Sequence, residues 1–323
     1  MSVQITIIGL GQIGASIGLA LAEHKNLIRV GHDKDMSSAK TALKIGAVDK
    51  VKRNLPSSVR EADIIILSLP FSEIQDTMNY IKEDLKEDAV ILDTAPSKSA
   101  TNDFMQEILP AGRAYIGLVP VINPLYLDER ETGVDAARSD LFKKGVTMIA
   151  APVSASEEAV QLAADLVLLF GSSPLFADTA EIDGVMASAH LLPQLVSVAL
   201  LNATVDAPGW GEMRKVAGRE YANTTEASPI QEGAASLSKL ALVNRQNITR
   251  ILDEMITSLQ NIQKTIADGN EDALNELLSR AEKGRENWLL ERLSAKWLLR
   301  VEKSDSVSLD GIAQRLFGFK ERK

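Results

Sequence analysis

The sequence predicts an α/β protein in which a doubly wound parallel-sheet domain is followed by an all-α helical domain. Short apolar runs rich in β-branched residues alternate with helical patterns in the first half, an order typical of a parallel sheet. From Glu181 onward, long helical patterns replace these runs. The predicted strands are residues 3–8, 27–31, 62–69, 89–93, 114–119, 145–150 and 174–177.

The glycine motif GLGQIG follows the first predicted strand at once and precedes a helical pattern. In this setting Gly9 allows a tight turn, Gly11 lets the backbone approach a pyrophosphate, and Gly14 lets the helix pack on the strand. The free N–H groups of the helix then face the phosphate. The motif, which also contains Gln12 and Ile13, predicts a Rossmann-type dinucleotide site. A tight turn without a ligand is the alternative.

Asp33 ends the second predicted strand, nineteen residues after Gly14, close to the spacing of an acidic residue that binds ribose hydroxyls. Its charge would repel a 2′-phosphate and favours NAD, whereas Lys34 beside it leaves NADP possible. Ligands bind at the carboxyl ends of parallel strands. We therefore expect the glycine motif, Asp33, Leu69 with Pro70, and residues 93–98 at one edge of the sheet.

Composition excludes several classes of function. The net charge is −9, and no basic run marks a nucleic-acid partner. Cysteine is absent, which rules out disulfides and thiolate chemistry, and three histidines make a histidine-rich metal site implausible. The chain begins directly with a strand, and no uninterrupted apolar run is long enough to span a membrane. We expect a cytoplasmic protein without a membrane partner.

The helical half divides into three long patterns, and we place the domain boundary near Asp178. Residues 181–204 are apolar all round, which is typical of a helix central to a bundle or a dimer. Residues 236–267 and 271–299 follow. We predict domains at 1–178 and 179–302, a tail at 303–323, and a homodimer through the helical domain. A self-contained bundle is the alternative.

The order of these motifs resembles the prephenate/arogenate dehydrogenase family. The segments that carry the resemblance run from about Val3 to about Trp288: GLGQIGAS, ADIIILSLP, DTAPSK, YIGLVP, HLLPQLVSVALLNA, NTTEASPIQ and LVNRQNITRILDEMITSLQNI. The resemblance implies oxidation of prephenate or arogenate with a nicotinamide cofactor. Hydride leaves the ring carbon that bears the hydroxyl, carbon dioxide is lost, and the ring becomes aromatic. A general base, usually histidine, assists loss of the hydroxyl proton.

The sequence departs from the family pattern at residues that carry the chemistry. The family's Gly-Gly-His-Pro motif supplies a histidine for the substrate hydroxyl, and Val119 stands in that place here. The serine of the Asp-x-Gly-Ser-x-Lys turn is replaced by Pro96, although the lysine is kept as Lys98. The Ser-His-Leu-Pro-His helix lacks both histidines but has His190 at the serine position. The arginine of Thr-Thr-Arg, which binds a substrate carboxylate, is Glu226.

Lys98 and His190 are the candidate catalytic residues. Lys98 could neutralise the substrate or act as acid or base if burial lowers its pKa, and a solvated loop lysine is the alternative. His190 is the histidine available as acid or base if its helix face lines the cleft between the domains. A histidine satisfied within the helical bundle is the alternative.

The candidate substrate-binding residues are Ser97, Asn123, Gln194 and Glu226. Ser97 would supply a hydroxyl beside Lys98, and Gln194 lies one helical turn after His190. Asn123 could orient a substrate carbonyl, or serve a turn. Glu226 would suit an amine-bearing substrate such as arogenate.

The leading prediction is an NAD(P)-dependent dehydrogenase of tyrosine biosynthesis acting on a small-molecule carboxylate. One alternative is a dehydrogenase of related fold with another hydroxy- or amino-acid substrate. A second alternative is an NAD(H)-binding sensor or scaffold without turnover.

Overall fold

The computed structural model describes residues 2–228 and 233–295. Its first part is built on an eight-stranded sheet with the order β3-β2-β1-β4-β5-β6-β7-β8. The strands are β1 (Val3–Ile8), β2 (Leu27–His32), β3 (Lys50–Val51), β4 (Ile64–Leu67), β5 (Val90–Asp93), β6 (Ala114–Pro120), β7 (Val146–Ala150) and β8 (Ser173–Phe176). The predicted α/β fold class is confirmed.

The sheet is parallel from β1 to β6, while β7 runs antiparallel to β6 and β8 runs parallel to β7. The predicted parallel sheet is therefore present from β1 to β6, whereas the last two strands run in the opposite direction. The reason is the connection across residues 121–145. It contains only two short 3-10 turns, Pro124–Tyr126 and Gly133–Ala136, so the chain re-enters the sheet at the end where it left.

Helices cover the sheet, and the central strands are buried on both faces. All four residues of β4 are fully buried, as the continuous apolar run predicts for an inner strand. The helices are α1 (Gln12–Ala20), α2 (Met36–Lys44), α3 (Leu55–Val59), α4 (Phe71–Ile81), α5 (Ser99–Ile108) and α6 (Glu157–Leu169).

A buried arginine joins β2 to the segment that follows α2. The Arg29 guanidinium donates from Nη1 to the carbonyl oxygens of Gly18 (2.8 Å) and Gly46 (2.7 Å). Its Nη2 and Nε donate to the two carboxylate oxygens of Asp49, at 2.6 and 3.2 Å. A charge inside an α/β layer is tolerated because nearly every donor has an acceptor.

The remaining described helices are α7 (Thr179–Met186), α8 (Leu192–Thr204), α9 (Trp210–Val216), α10 (Arg219–Thr225), α11 (Gly233–Val243), α12 (Arg245–Ala267) and α13 (Glu271–Ser294). Two units are compact. Among the described residues, one comprises 2–182 and 284–295, and the other comprises 183–228 and 233–283. The predicted tail, 303–323, lies outside the described residues, as does the end of the predicted helix 271–299.

Two predicted long helices are interrupted. A π-helical turn, Ala187–Leu191, lies between α7 and α8. Pro193 lies in the first turn of α8, where its ring removes an N–H donor and crowds the carbonyl four residues earlier. The pattern 236–267 breaks at Asn244, whose buried amide donates to the Asp183 carbonyl oxygen at 2.8 Å.

The helical run Thr179–Thr204 is long and apolar enough, by length and composition, to cross a membrane. This corrects the expectation that no segment reaches that limit, since residues 184–204 of the run contain no aspartate, glutamate, lysine or arginine. A single such helix is weak evidence, because a core helix of a globular protein passes the same test.

Candidate functional site

The three glycines of the β1–α1 turn have three different surroundings. Gly9 has φ +90°, and a Cβ there would lie 2.1 Å from the Ser68 carbonyl oxygen. A Cβ on Gly14 would lie 2.0 Å from the Gly9 carbonyl oxygen. A Cβ on Gly11 would meet no atom within 4 Å. Gly9 and Gly14 are therefore needed for packing, whereas Gly11 leaves open space beside the amino terminus of α1, where a pyrophosphate would fit.

Asp33 is fixed by backbone donors on both sides. The Leu10 N–H donates to its Oδ2 at 2.7 Å, and the Asp35 N–H donates to its Oδ1 at 2.8 Å. The Gly9 N–H donates to the His32 carbonyl oxygen at 2.9 Å, which ties the glycine turn to the end of β2. The carboxylate is thus held beside the glycine turn with lone pairs left for ribose hydroxyls.

The other predicted cofactor residues lie around the same turn. Gln12 begins α1 and donates from Nε2 to the Ala136 carbonyl oxygen at 3.4 Å. Ile13 is partly buried against the hydrophobic core. Leu69 approaches within 3.1 Å of a Cβ placed on Gly9, and Pro70 is the N-cap of α4. The structure therefore brings the predicted cofactor residues together at one edge of the sheet.

These surroundings fit a nicotinamide dinucleotide. Open space at Gly11, the free N–H groups at the start of α1 and the oriented carboxylate of Asp33 match the pyrophosphate and ribose of such a cofactor. Among the described residues, no group of three or more histidine or carboxylate side chains could hold a metal ion.

Lys98 is fully buried, with 0% of its side chain exposed. Its Nζ lies 2.7 Å from Asp93 Oδ1, and the Tyr115 hydroxyl donates to Asp93 Oδ2 at 2.5 Å. The Ala95 N–H also donates to Asp93 Oδ1, at 2.9 Å. The alternative of a solvated loop lysine is wrong, because the β5–α5 turn folds Lys98 back onto the end of its own strand.

The chain leaves room for this lysine at Gly117 on β6, where a Cβ would lie 2.6 Å from Lys98 Cδ. Neither Tyr115 nor Gly117 is predicted from the sequence as part of the site. The pairing of Asp93 with Gly117 in the β5–β6 register would have pointed to them, but strand register is not readable from one sequence.

Ser97, in the β5–α5 turn, and Val119, on β6, differ in character. The Ser97 Oγ is buried and has no hydrogen-bond partner within residues 2–228 and 233–295. Val119, at the position of the family's histidine, is 4% exposed and pairs with Met148 of β7. An apolar strand residue therefore occupies the place where the resemblance implies a base.

The side chain of Asn123 forms hydrogen bonds within its own loop. Its Oδ1 accepts from the Leu125 N–H at 3.1 Å, and its Nδ2 donates to the Asp140 carbonyl oxygen at 3.2 Å. The Tyr126 hydroxyl donates to Asp140 Oδ1 at 2.6 Å. This hydrogen bond and burial raise the pKa of Tyr126. Asn123 therefore caps the turn that follows it, as one of the two alternatives predicts. Its contact with a substrate remains a prediction.

In the helical unit, His190 and Gln194 lie together. His190 is partly buried within the π-helical turn, and Gln194 Nε2 donates to the His190 carbonyl oxygen at 2.9 Å. Glu226 is exposed at the carboxyl end of α10. A cleft that combines these residues with Lys98 and Asp33 remains a prediction.

Comparison with known proteins agrees with this geometry. The family model "Prephenate dehydrogenase, nucleotide-binding domain" matches residues 17–173, and "Prephenate dehydrogenase, dimerization domain" matches residues 178–280. The first match begins after the glycine turn, so the turn's geometry is separate support for a nucleotide site.

Curated relatives have similar names. Prephenate dehydrogenase of Bacillus subtilis is 26% identical over 84% of this chain and 71% of its own length. Cyclohexadienyl dehydrogenase of Zymomonas mobilis is 24% identical over 87% of this chain and 94% of its own length.

Solved structures share the fold. Prephenate dehydrogenase from A. aeolicus, in complex with hydroxyphenyl propionate and NAD+, aligns with a TM-score of 0.76 and 18% identity, over 89% of this chain and 98% of its own. Synechocystis arogenate dehydrogenase gives a TM-score of 0.68 and 21% identity, over 88% and 99%. With both domain models matched in order, the chain belongs to the prephenate dehydrogenase family of NAD(P)-dependent dehydrogenases, with a nucleotide-binding domain followed by a dimerization domain.

Proposed function

We propose that this protein uses NAD to oxidise and decarboxylate a small cyclohexadienyl carboxylate of the prephenate or arogenate type, in tyrosine biosynthesis. The observation that carries the cofactor assignment is the open space at Gly11 beside the fixed carboxylate of Asp33. When bound, the cofactor supplies a hydride acceptor. The chain's own task is to position the two ligands and to remove the hydroxyl proton of the substrate.

His190 is the proposed general base. Lys98 would have to leave Asp93 inside a fully buried pair before it could accept a proton, and that separation is costly. We therefore assign the proton transfer to His190 and give Lys98 a positioning role at the β5–α5 turn. The hydroxyl proton passes to the imidazole, the hydride leaves the ring carbon, and carbon dioxide departs as the ring becomes aromatic.

Substrate recognition is proposed for Ser97, Asn123, Gln194 and Glu226. The buried Ser97 hydroxyl offers a donor with no partner among the described residues. Glu226 replaces the family's carboxylate-binding arginine with an anion, which favours a substrate that carries an amine. This favours an amino-acid substrate such as arogenate over prephenate.

The first experiment mixes purified protein with NAD and either prephenate or arogenate and follows NADH formation, with NADP in parallel. Turnover with either substrate supports the proposal.

A Glu226→Gln variant should then selectively weaken binding of the amine-bearing substrate. An equal loss of affinity for both substrates would contradict the amine role. His190→Asn should abolish turnover while NADH binding is retained.

Val119, at the position of the family's histidine, is buried and cannot accept a proton. If NADH binds without turnover, this residue favours one of two other functions. One is a dehydrogenase of another small hydroxy- or amino-acid, which a substrate screen would reveal. The other is an NAD(H)-dependent sensor or scaffold, which would change its assembly on binding NADH without consuming it. We also propose a homodimer, supported by the match to the dimerization-domain model, located in the cytoplasm and without a membrane partner. The net charge of −9 and the lack of a basic run argue against a nucleic-acid partner.

A further inference from the structure

Lys34 is the one cation in the β2–α2 turn, between Asp33 and Asp35. A 2′-phosphate on a ribose held by Asp33 would lie beside this turn. The sequence indicates that the Lys34 ammonium would attract the 2′-phosphate of NADP. The location of this ammonium therefore affects whether the site binds NADP.

The two acidic neighbours of Lys34 are occupied by backbone groups. Asp33 accepts the N–H groups of Leu10 and Asp35. Asp35 is the N-cap of α2 and accepts the N–H groups of Ser37 and Ser38, both at 3.0 Å.

The Lys34 ammonium forms an ion pair with Glu73 Oε1, which lies outside the β2–α2 turn. Glu73 lies in the first turn of α4, directly after the Leu69–Pro70 edge. The side chains are 77% and 35% exposed, respectively, so the contact lies at the surface of the cofactor edge.

We propose that Glu73 is a specificity-determining residue for the cofactor: it holds the Lys34 ammonium away from a 2′-phosphate and thereby favours NAD over NADP. The formal charges of Asp33, Asp35, Glu73 and Lys34 sum to −2. A phosphate placed there meets net repulsion, whereas the hydroxyl of NAD does not. This inference rests on the proposed binding of NAD at Asp33.

The test measures the dissociation constants of NADH and NADPH by fluorescence titration of the full chain. Glu73→Gln should tighten NADPH about two- to fivefold, the range open to an exposed ion pair, and leave NADH within about twofold. The gain should shrink in 0.5 M salt. Asp76→Asn, an exposed acid on the same helix, is the matched control and should leave the ratio unchanged.

A double-mutant cycle with Lys34→Gln isolates the mechanism. If Lys34 is the cation released, the gain from Glu73→Gln is smaller in the Lys34→Gln background than in the unaltered protein. A gain of equal size in both backgrounds would overturn the inference, because Glu73 would then act by its own charge alone. An unchanged NADPH to NADH ratio in Glu73→Gln overturns it as well. Failure of the unaltered protein to bind NADH would instead contradict the proposed function itself.

Discussion

The side chain of Lys98 crosses Gly117 so closely that a Cβ at residue 117 would lie 2.6 Å from Lys98 Cδ. The buried Lys98–Asp93 ion pair thus depends on a missing side chain in the neighbouring strand. Asp93 ends β5 and Lys98 precedes α5, so the ion pair joins the two ends of the β5–α5 turn.

Gly117→Ala should displace Lys98 and lower the free energy of unfolding by about 1–3 kcal/mol, since overpacking a filled site costs this much. Urea denaturation measures the loss. Gly284→Ala is the control, because a Cβ there meets nothing within 4 Å in α13. It should raise stability by about 0.5–1 kcal/mol. Equal stability of the two variants would contradict the close contact.

Lys98→Met should leave the Asp93 carboxylate buried without its cation and cost about 3–5 kcal/mol. The double variant Asp93→Asn, Lys98→Met removes both charges, and the Tyr115 hydroxyl can still donate to the amide oxygen. Its loss should be smaller than the sum of the two single losses. Additive losses in denaturation experiments would show that the two side chains do not interact.

Gly11→Ala and Gly14→Ala should fail in different ways. At Gly11 the added methyl group enters open space, so stability should change by less than about 0.5 kcal/mol, while NADH should bind at least about tenfold more weakly. At Gly14 the methyl would lie 2.0 Å from the Gly9 carbonyl oxygen, and the variant should be severely destabilised. Thermal unfolding and NADH titration separate the outcomes. Unaltered NADH affinity in Gly11→Ala would argue against a pyrophosphate there.

The Arg29–Asp49 pair predicts a pH-dependent stability. Burial raises the pKa of Asp49, but hydrogen bonds and charge from Arg29 outweigh it, so the pKa lies below its usual 3.8. A depressed pKa means that the stabilisation is present above the unfolded value and is lost as pH falls through the folded one.

Asp49→Asn should therefore cost about 1–3 kcal/mol at pH 7, the range for hydrogen bonds to charged groups. The difference from the unaltered protein should shrink as pH falls below about 4. Urea denaturation between pH 7 and pH 3 measures both quantities. A difference that stays constant across this range would show that the Asp49 charge makes no contribution.

The sequence by itself determined the α/β sheet, the glycine turn, an aspartate at the spacing expected for ribose binding, and the helical second half. These are local properties: apolar runs predict buried strands, and glycine or aspartate at a fixed spacing specifies the turn chemistry. The resemblance to prephenate dehydrogenases depended on motif order, which is also written along the chain.

Tertiary structure alone decided how distant residues meet. Whether Lys98 is solvated or buried depends on the register that places Gly117 beside Asp93, and the partner of Lys34 lies thirty-nine residues away on α4. The reversal of β7 and β8 follows from the path of a loop rather than from their residues. Such features arise from pairings between segments far apart in sequence, which local pattern does not encode.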